Sequence, residues 1–250
     1  MIERGHGAEA ATDGTTLLPT GAAPCMTRAN QGADPLARMS IVVPVGPGDT
    51  TWPPLLAALR RDAPGAQLIP VFAEGDPQQS PADALRAPAG RARQQNAGAS
   101  AATRDWLWFV HADTRLAPDA LPALRDWLAQ APAALGWFRL RFADDGPPAM
   151  RWNARGANWR ARVLGLPFGD QGLLLPRAAF LALGGFNPAL DSGEDHALVW
   201  AARRAGLPLR AIDADLLTSA RKYAMHGWLP TTLHHLRLTV AQAWREARRR

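Results

Sequence analysis

The sequence predicts an α/β fold, an open, mostly parallel sheet with helices on both faces. Three observations carry this. Short apolar runs recur along the chain and read as buried strands: SIVVPV at 40–45, QLIPVF at 67–72 and WLWFV at 106–110. Segments with helical spacing of apolar residues separate them. The length of 250 residues, 47% of them hydrophobic, suits one sizeable domain with a real core.

Each element follows in order. Residues 1–38 hold Gly, Ala, Thr and Pro with no persistent period and are expected to form a disordered extension, leaving 39–250 as a single domain. After the strand at 40–45, residues 53–61 place Leu55, Leu56 and Leu59 on one helical face. The strand at 67–72 leads into 74–90, rich in Gly, Pro, Gln and Asp and read as loop. Residues 91–102 form a helix of small side chains. The strand at 106–110 is followed by a helix at 118–130, with Pro118 near its start and Leu121, Leu124 and Leu128 at helical spacing. The stretch 135–142 (LGWFRLRF) alternates like a half-exposed strand, and 148–163 is an amphipathic helix rich in Trp and Arg. A short strand at 172–175 precedes a helix at 177–183 that Gly184 and Gly185 end. A helix at 194–205 stops at Gly206, a strand covers 209–212, and a helix covers 228–250. Ligands of such sheets sit beyond the carboxyl ends of the strands, so chemistry is sought there.

The formal net charge is +6 and Lys222 is the single lysine. A basic balance suits anionic partners, but no helix-turn-helix, zinc-finger or RNA-binding signature is present, so no nucleic-acid partner is expected. The lone Cys25 excludes an intrachain disulfide and a cysteine metal cage and fits a reducing cytoplasm. No apolar run approaches the ~20 residues of a membrane helix. No basic segment leads into an apolar stretch, so no signal peptide is read.

Four constellations hold candidate chemistry. His111-Ala112-Asp113-Thr114 ends the strand at 106–110. A carboxylate there can hold Mg²⁺ or Mn²⁺ against a diphosphate, or it can cap a turn while His111 packs against Trp108. Gly193-Glu194-Asp195-His196 opens a helix, where two acids complement the helix dipole or one acts as a general base. Phe168-Gly169-Asp170-Gln171 is a turn that can also let backbone approach a substrate. Gly90 to Gly98 (GRARQQNAG) sets Arg91, Arg93 and Asn96 at a helix start, as phosphate or sugar ligands or as a solvated face.

Taken in this order, the pieces SIVVPV, GRARQQNAGA, WLWFVHADTRL, FGDQGLLLPRAAFLALGGFNP, GEDHALVWAARRAG and TSARKYAMHGWLPTTL resemble the family 2 glycosyltransferases of the GT-A fold. Among these they are most similar to the prokaryotic radical-SAM/selenodomain-associated transferases. The resemblance runs from Met39 to the C-terminus. It implies a transferase that moves a sugar from a nucleotide-sugar donor to an acceptor hydroxyl, with Mg²⁺ or Mn²⁺, by inverting displacement. Asp113 would hold the metal, with His226 as a second ligand and His111 at the first position of an Asp-x-Asp-like motif. Asp195 would be the catalytic base and Glu194 its neighbour. Pro44, Asp49, Glu74, Arg91, Arg93, Asn96, His111 and Ala112 would form the donor side. Gly169, Asp170, Gln171 and Arg221 would form the acceptor or sugar side, and Ser219, Arg221 and His226 would close over the diphosphate.

Two segments depart from the family pattern. The first strand ends Val45-Gly46-Pro47-Gly48-Asp49, where only Asp49 replaces the usual acid. The second ends Phe72-Ala73-Glu74-Gly75-Asp76-Pro77, where Glu74 or Asp76 would stand in for an Asp-rich turn. These departures support one rival, a catalytically degenerate homologue that binds a sugar nucleotide or a protein partner. The other rival, a sugar-nucleotide nucleotidyltransferase, wants a basic residue in its phosphate loop, and 45–50 has none. At the C-terminus, Trp228, Leu229, Leu233, Leu236, Val240 and Trp244 mix with Arg237, Arg245 and Arg248 to Arg250. This helix either packs on its own domain or lies on an anionic membrane surface, which suits a lipid-linked acceptor and a peripheral place at the membrane's inner face.

Overall fold

The computed structural model describes residues 34–130, 133–190 and 192–248. Cys25, most of the expected extension and the last two arginines lie outside the described residues. The extension ends earlier than its composition suggests. Leu36 sits in the core on a 3-10 turn at Pro35–Arg38, and Asp34 caps that turn while pairing with Arg125 at 3.0 Å.

Eight strands form one sheet in the order β3-β2-β1-β4-β7-β6-β8-β5. They are β1 (Met39–Val45), β2 (Gln67–Ala73), β3 (Leu85–Ala87), β4 (Trp106–Phe109), β5 (Arg115–Leu116), β6 (Leu135–Phe142), β7 (Leu174–Pro176) and β8 (Leu209–Thr218). The strands β3, β2, β1 and β4 run parallel, and β6 runs parallel to β8. The short β7 joins the two halves, antiparallel to both β4 and β6, and β5 closes the far edge antiparallel to β8.

Helices cover both faces, as the alternation predicts. On one face pack α1 (Pro53–Asp62) and α3 (Ala120–Ala129), through Leu55, Leu56, Leu59, Leu121, Leu124 and Leu128. On the other pack α2 (Arg91–Ala101), α4 (Met150–Val163), α5 (Arg177–Ala182) and α6 (Glu194–Arg204). Two further helices end the chain, α7 (Arg221–His226) and α8 (Trp228–Ala247). Strand β4 shows the two-sided burial directly: Trp106 and Trp108 enter the first core, Leu107 and Phe109 the second.

Several elements differ from the sequence reading. β3 lies inside the stretch read as loop, and β5 and α7 are too short to show a period. The strand read at 172–175 begins two residues later and ends one later, at Leu174–Pro176. β6 is more buried than its alternation implies, because it lies inside the sheet with α4 packed against it. β8 runs on through Thr218, past the expected end at Ile212. A bulge between Phe138 and Arg139 absorbs two extra residues, and Arg139 pairs with both Asp213 and Asp215.

Candidate active site

The carboxyl ends of β1, β2 and β4 open at one edge of the sheet, and the buried side chain of Gln94 on α2 holds two of them. Its amide donates to the Val45 carbonyl at 2.7 Å and the Val71 carbonyl at 2.9 Å. The helix can approach because Gly98 has no side chain; a Cβ there would lie 2.4 Å from Val42 Cγ1. Beyond β1 and β2 the loops tie to each other. Asp76 accepts from Gly48 N at 3.0 Å and from the backbone and side chain of Gln78, and these bonds hold its carboxyl below the ordinary range. Arg86 donates to the carbonyls of Ala73 and Asp76.

The chain after β4 turns sharply, with Thr114 N bonded to the His111 carbonyl at 3.0 Å. The turn meets two distant segments. Gly169 N donates to Asp195 Oδ2 at 2.6 Å, and His196 N donates to Asp195 Oδ1 at 2.8 Å. Any side chain at Gly169 would collide here: a Cβ would stand 2.9 Å from His111 Nε2 and 3.0 Å from Asp195 Oδ2. The end of β4, the 3-10 turn at Gly169–Gln171 and the start of α6 therefore converge on a few ångströms of space.

Charge is concentrated in this space. Burial raises Asp113, and the neighbouring Asp49 raises it further against the opposing pull of Lys222 and Arg221. Burial pushes Asp170 up to about 6, with Arg160 opposing. Burial and the Arg91 charge push His111 down to about 3, so its imidazole is neutral. Glu194 is 3% exposed and pairs with Arg91 at 3.3 Å; burial and the charge of Asp195 raise its carboxyl. His111 Nε2, Arg160 Nη2, Asp170 Oδ1 and His196 Nδ1 are all buried without a hydrogen-bond partner among the described residues. Such atoms are rare in folded proteins, and their clustering marks a site rather than a core.

Arg160 is a member of this cluster that the sequence reading missed. Its guanidinium stacks on Phe168 at 3.5 Å, and Nε donates to the Leu166 carbonyl. Burial lowers its pKa while Asp170 and Asp195 oppose the shift. The available signal was its spacing with Met150, Ala157 and Ala161 on the inner face of α4. Lys222 was singled out only by its rarity, yet its charge reaches both His111 and Asp113.

Other expected residues have different surroundings. Pro44 is buried within β1, and Ala112 packs into the core. Asn96 gives both polar atoms to the backbone of Phe186, at 2.8 and 2.9 Å. Gln171 is buried, donating to the Phe138 carbonyl and accepting from Phe168 N. Glu74 is exposed at the end of β2, and exposed Arg93 bonds the Ala89 carbonyl. Arg221 is exposed and bonds Ser219 Oγ, which in turn donates to Asp145. His226 is exposed, its Nδ1 at 3.1 Å from the Lys222 carbonyl. No group of three or more His, Cys, Asp or Glu is arranged to hold a metal among the described residues.

Residues 85–181 match the family described as Glycosyl transferase family 2. The fold matches S. aureus TarS with a TM-score of 0.56 and 12% identity over 73% of this chain and 37% of that one. TarS 1–349 in complex with UDP-GlcNAc matches at 0.54 and 14% identity, over 73% of this chain and 58% of that one. Glucosyl-3-phosphoglycerate synthase from Mycobacterium tuberculosis, in complex with Mn²⁺, UDP and phosphoglyceric acid, matches at 0.54 and 17% identity, over 75% of this chain and 70% of that one.

The fold is the GT-A fold of glycosyltransferases.

No curated protein matches the chain significantly. The chain spans 37% of the length of TarS and 60% of its 1–349 fragment. Within the GT-A frame, the family segment includes His111, Asp113 and the Gly169–Gln171 turn, and it ends before Glu194 and Asp195. The hydrogen bond from Gly169 to Asp195 thus links the matched segment to the start of α6.

Proposed function

We propose that the chain is a glycosyltransferase that moves a sugar from a nucleoside-diphosphate donor to an acceptor hydroxyl with inversion. The carrying observation is the convergence of the β4 end, the Gly169–Gln171 turn and Asp195 at the carboxyl edge of a GT-A sheet. The donor class is supported by the UDP and UDP-GlcNAc bound to the related folds.

In this reading Asp195 takes the acceptor proton. Two backbone N–H groups, from Gly169 and His196, hold its carboxylate in one orientation, which is what a positioned base requires. His111, kept neutral by burial, offers a ring nitrogen without adding charge beside that carboxylate. Arg91, Arg160 and Lys222 supply positive charge for the departing diphosphate.

A divalent cation fits the carboxylates present. The neighbouring Asp49 adds to the cost of ionising buried Asp113, and Mg²⁺ or Mn²⁺ would relieve that cost with few protein ligands. Asp113 would hold the ion with Asp49 nearby, and the ion would neutralise charge on the leaving group. His226 stands as the proposed second ligand on α7.

The degenerate reading has one observation in its favour. The loops after β1 and β2 close on each other through Asp76 and Gln78, where a donor base would be received.

Asp195→Asn tests the function. Transfer from a nucleotide sugar should fall by ~10²–10⁴-fold while calorimetry shows UDP binding within a few fold of wild type. Near-normal turnover by the variant would remove Asp195 from the base role.

A further inference from the structure

The proposed chemistry uses neither the outer face of α8 nor that of α4. On α8, Leu229, Leu233, Leu236, Val240 and Trp244 are 43% to 61% exposed. Their spacing of four, three, four and four residues places them in one stripe along the helix. The stripe is about 22 Å long at 1.5 Å per residue. Single exposed apolar residues are ordinary, but a continuous stripe of this length marks an interaction surface.

The helix is not detached, so the stripe is not merely a core face that has come loose. Trp228 Nε1 donates to Asn153 Oδ1 on α4 at 2.9 Å, and Asn153 Nδ2 donates to Thr232 at 3.0 Å. Gln242 lies against Gly193, where a Cβ would meet its amide nitrogen at 2.3 Å. Arg204 on α6 pairs with Glu246 at 3.3 Å. One side of α8 is already docked on the domain, and the apolar stripe faces outward.

Charge identifies what covers it. Glu246 is the sole acid on α8, and it is 4% exposed and paired. Arg237 and Arg245 are exposed on the same helix, and the Arg248 guanidinium lies 3.3 Å over Trp244. The adjoining α4 has the same character. It contains no acid, exposes Trp152, Trp159 and Val163, and carries Arg151 and Arg155 at 5.7 and 4.9 Å over Trp152. Tryptophan and leucine beside arginine, without acids, is the chemistry of a helix lying in the headgroup region of an anionic bilayer. A second copy of the chain would bring arginine against arginine with no exposed acid on either helix to pair them.

We propose that α8, with α4 beside it, docks the protein on an anionic lipid surface. No described helix is long and apolar enough to cross a membrane, and the contact proposed is made by exposed side chains of α8 and α4. This deepens the transferase reading by giving it a partner surface, but it stands on the folded chain alone.

Co-sedimentation of the full chain with vesicles tests it. Wild type should pellet with vesicles of phosphatidylglycerol and phosphatidylcholine, and far less with phosphatidylcholine alone or at high salt. Leu236→Glu with Val240→Glu, and separately Arg237→Glu with Arg245→Glu, should each weaken binding at least about tenfold, with circular dichroism unchanged. Absence of pelleting by wild type, or pelleting by both variants equal to that of wild type, overturns the proposal. So does a dimer in sedimentation velocity that the apolar variant dissolves while vesicles bind nothing; a second copy would then be the occupant. The assay needs no donor and no turnover, so its failure is separate from failure of the transferase reading.

Discussion

Burial and charge are in conflict at Asp170. Its carboxyl is pushed up to about 6 from an ordinary 3.8, so the native state holds its proton more tightly than the unfolded chain does. Stability therefore falls as pH rises from 3.8 through about 6, and the full cost is present above that. Asp170→Asn removes the charge and should stabilise the protein by roughly 1–3 kcal/mol near pH 8. The gain should shrink to a few tenths near pH 3, where both states are mostly protonated. Urea unfolding at the two pH values measures it, and an equal gain at both contradicts the assignment. At this scale the sequence was legible where the motifs placed residues together, as with His111, Gly169 and Asp195. It was not legible for Arg160. Four arginines crowd α4, and an amphipathic reading sends all of them outward. Only the inward spacing with Met150, Ala157 and Ala161 separates Arg160 from Arg151, Arg155 and Arg162. Asn96 shows the reverse: a plausible phosphate ligand by position, it bonds the backbone of Phe186.

Among the elements, α2 does most to place the site. Its small residues let it lie close on β1 and β2, and Gln94 bonds both strand ends. Gln94→Leu keeps the bulk but leaves two buried carbonyls without that donor. It should cost about 1–3 kcal/mol in thermal or urea unfolding. A loss under a few tenths would mean that the strand ends are held by other bonds. The long elements were legible because their periods repeat. β3, β5 and α7 were not, since two to six residues carry no period and form only against a partner, as Arg115 and Leu116 do against β8. The end of β8 was hidden for another reason. Asp213 and Asp215 look like turn residues until Arg139, seventy-odd positions away in the chain, is seen beside them.

For the whole molecule, alternation of strand and helix predicts a two-faced sheet, and the sheet is two-faced. Alternation says nothing of the antiparallel β7, which joins the parallel halves and carries the chain from the Gly169–Gln171 turn back beside β4. That connection brings Gly169 to His111 and Asp195 from segments 58 and 26 residues away, counting 169 − 111 and 195 − 169. The order of motifs along the chain pointed to the same grouping through resemblance; spacing alone did not.

The proposed function requires that the carboxyl ends of the strands bind a nucleoside diphosphate with a metal at Asp113. The most direct measurement is a thermal-shift panel of nucleoside diphosphates and nucleotide sugars, with and without Mn²⁺, on wild type and Asp113→Asn. One base should raise the melting temperature by about 5 °C or more at roughly a hundred times Kd, in a metal-dependent way, and Asp113→Asn should abolish the metal-dependent part. No shift with any nucleotide, or a shift that Asp113→Asn leaves unchanged, would contradict the account.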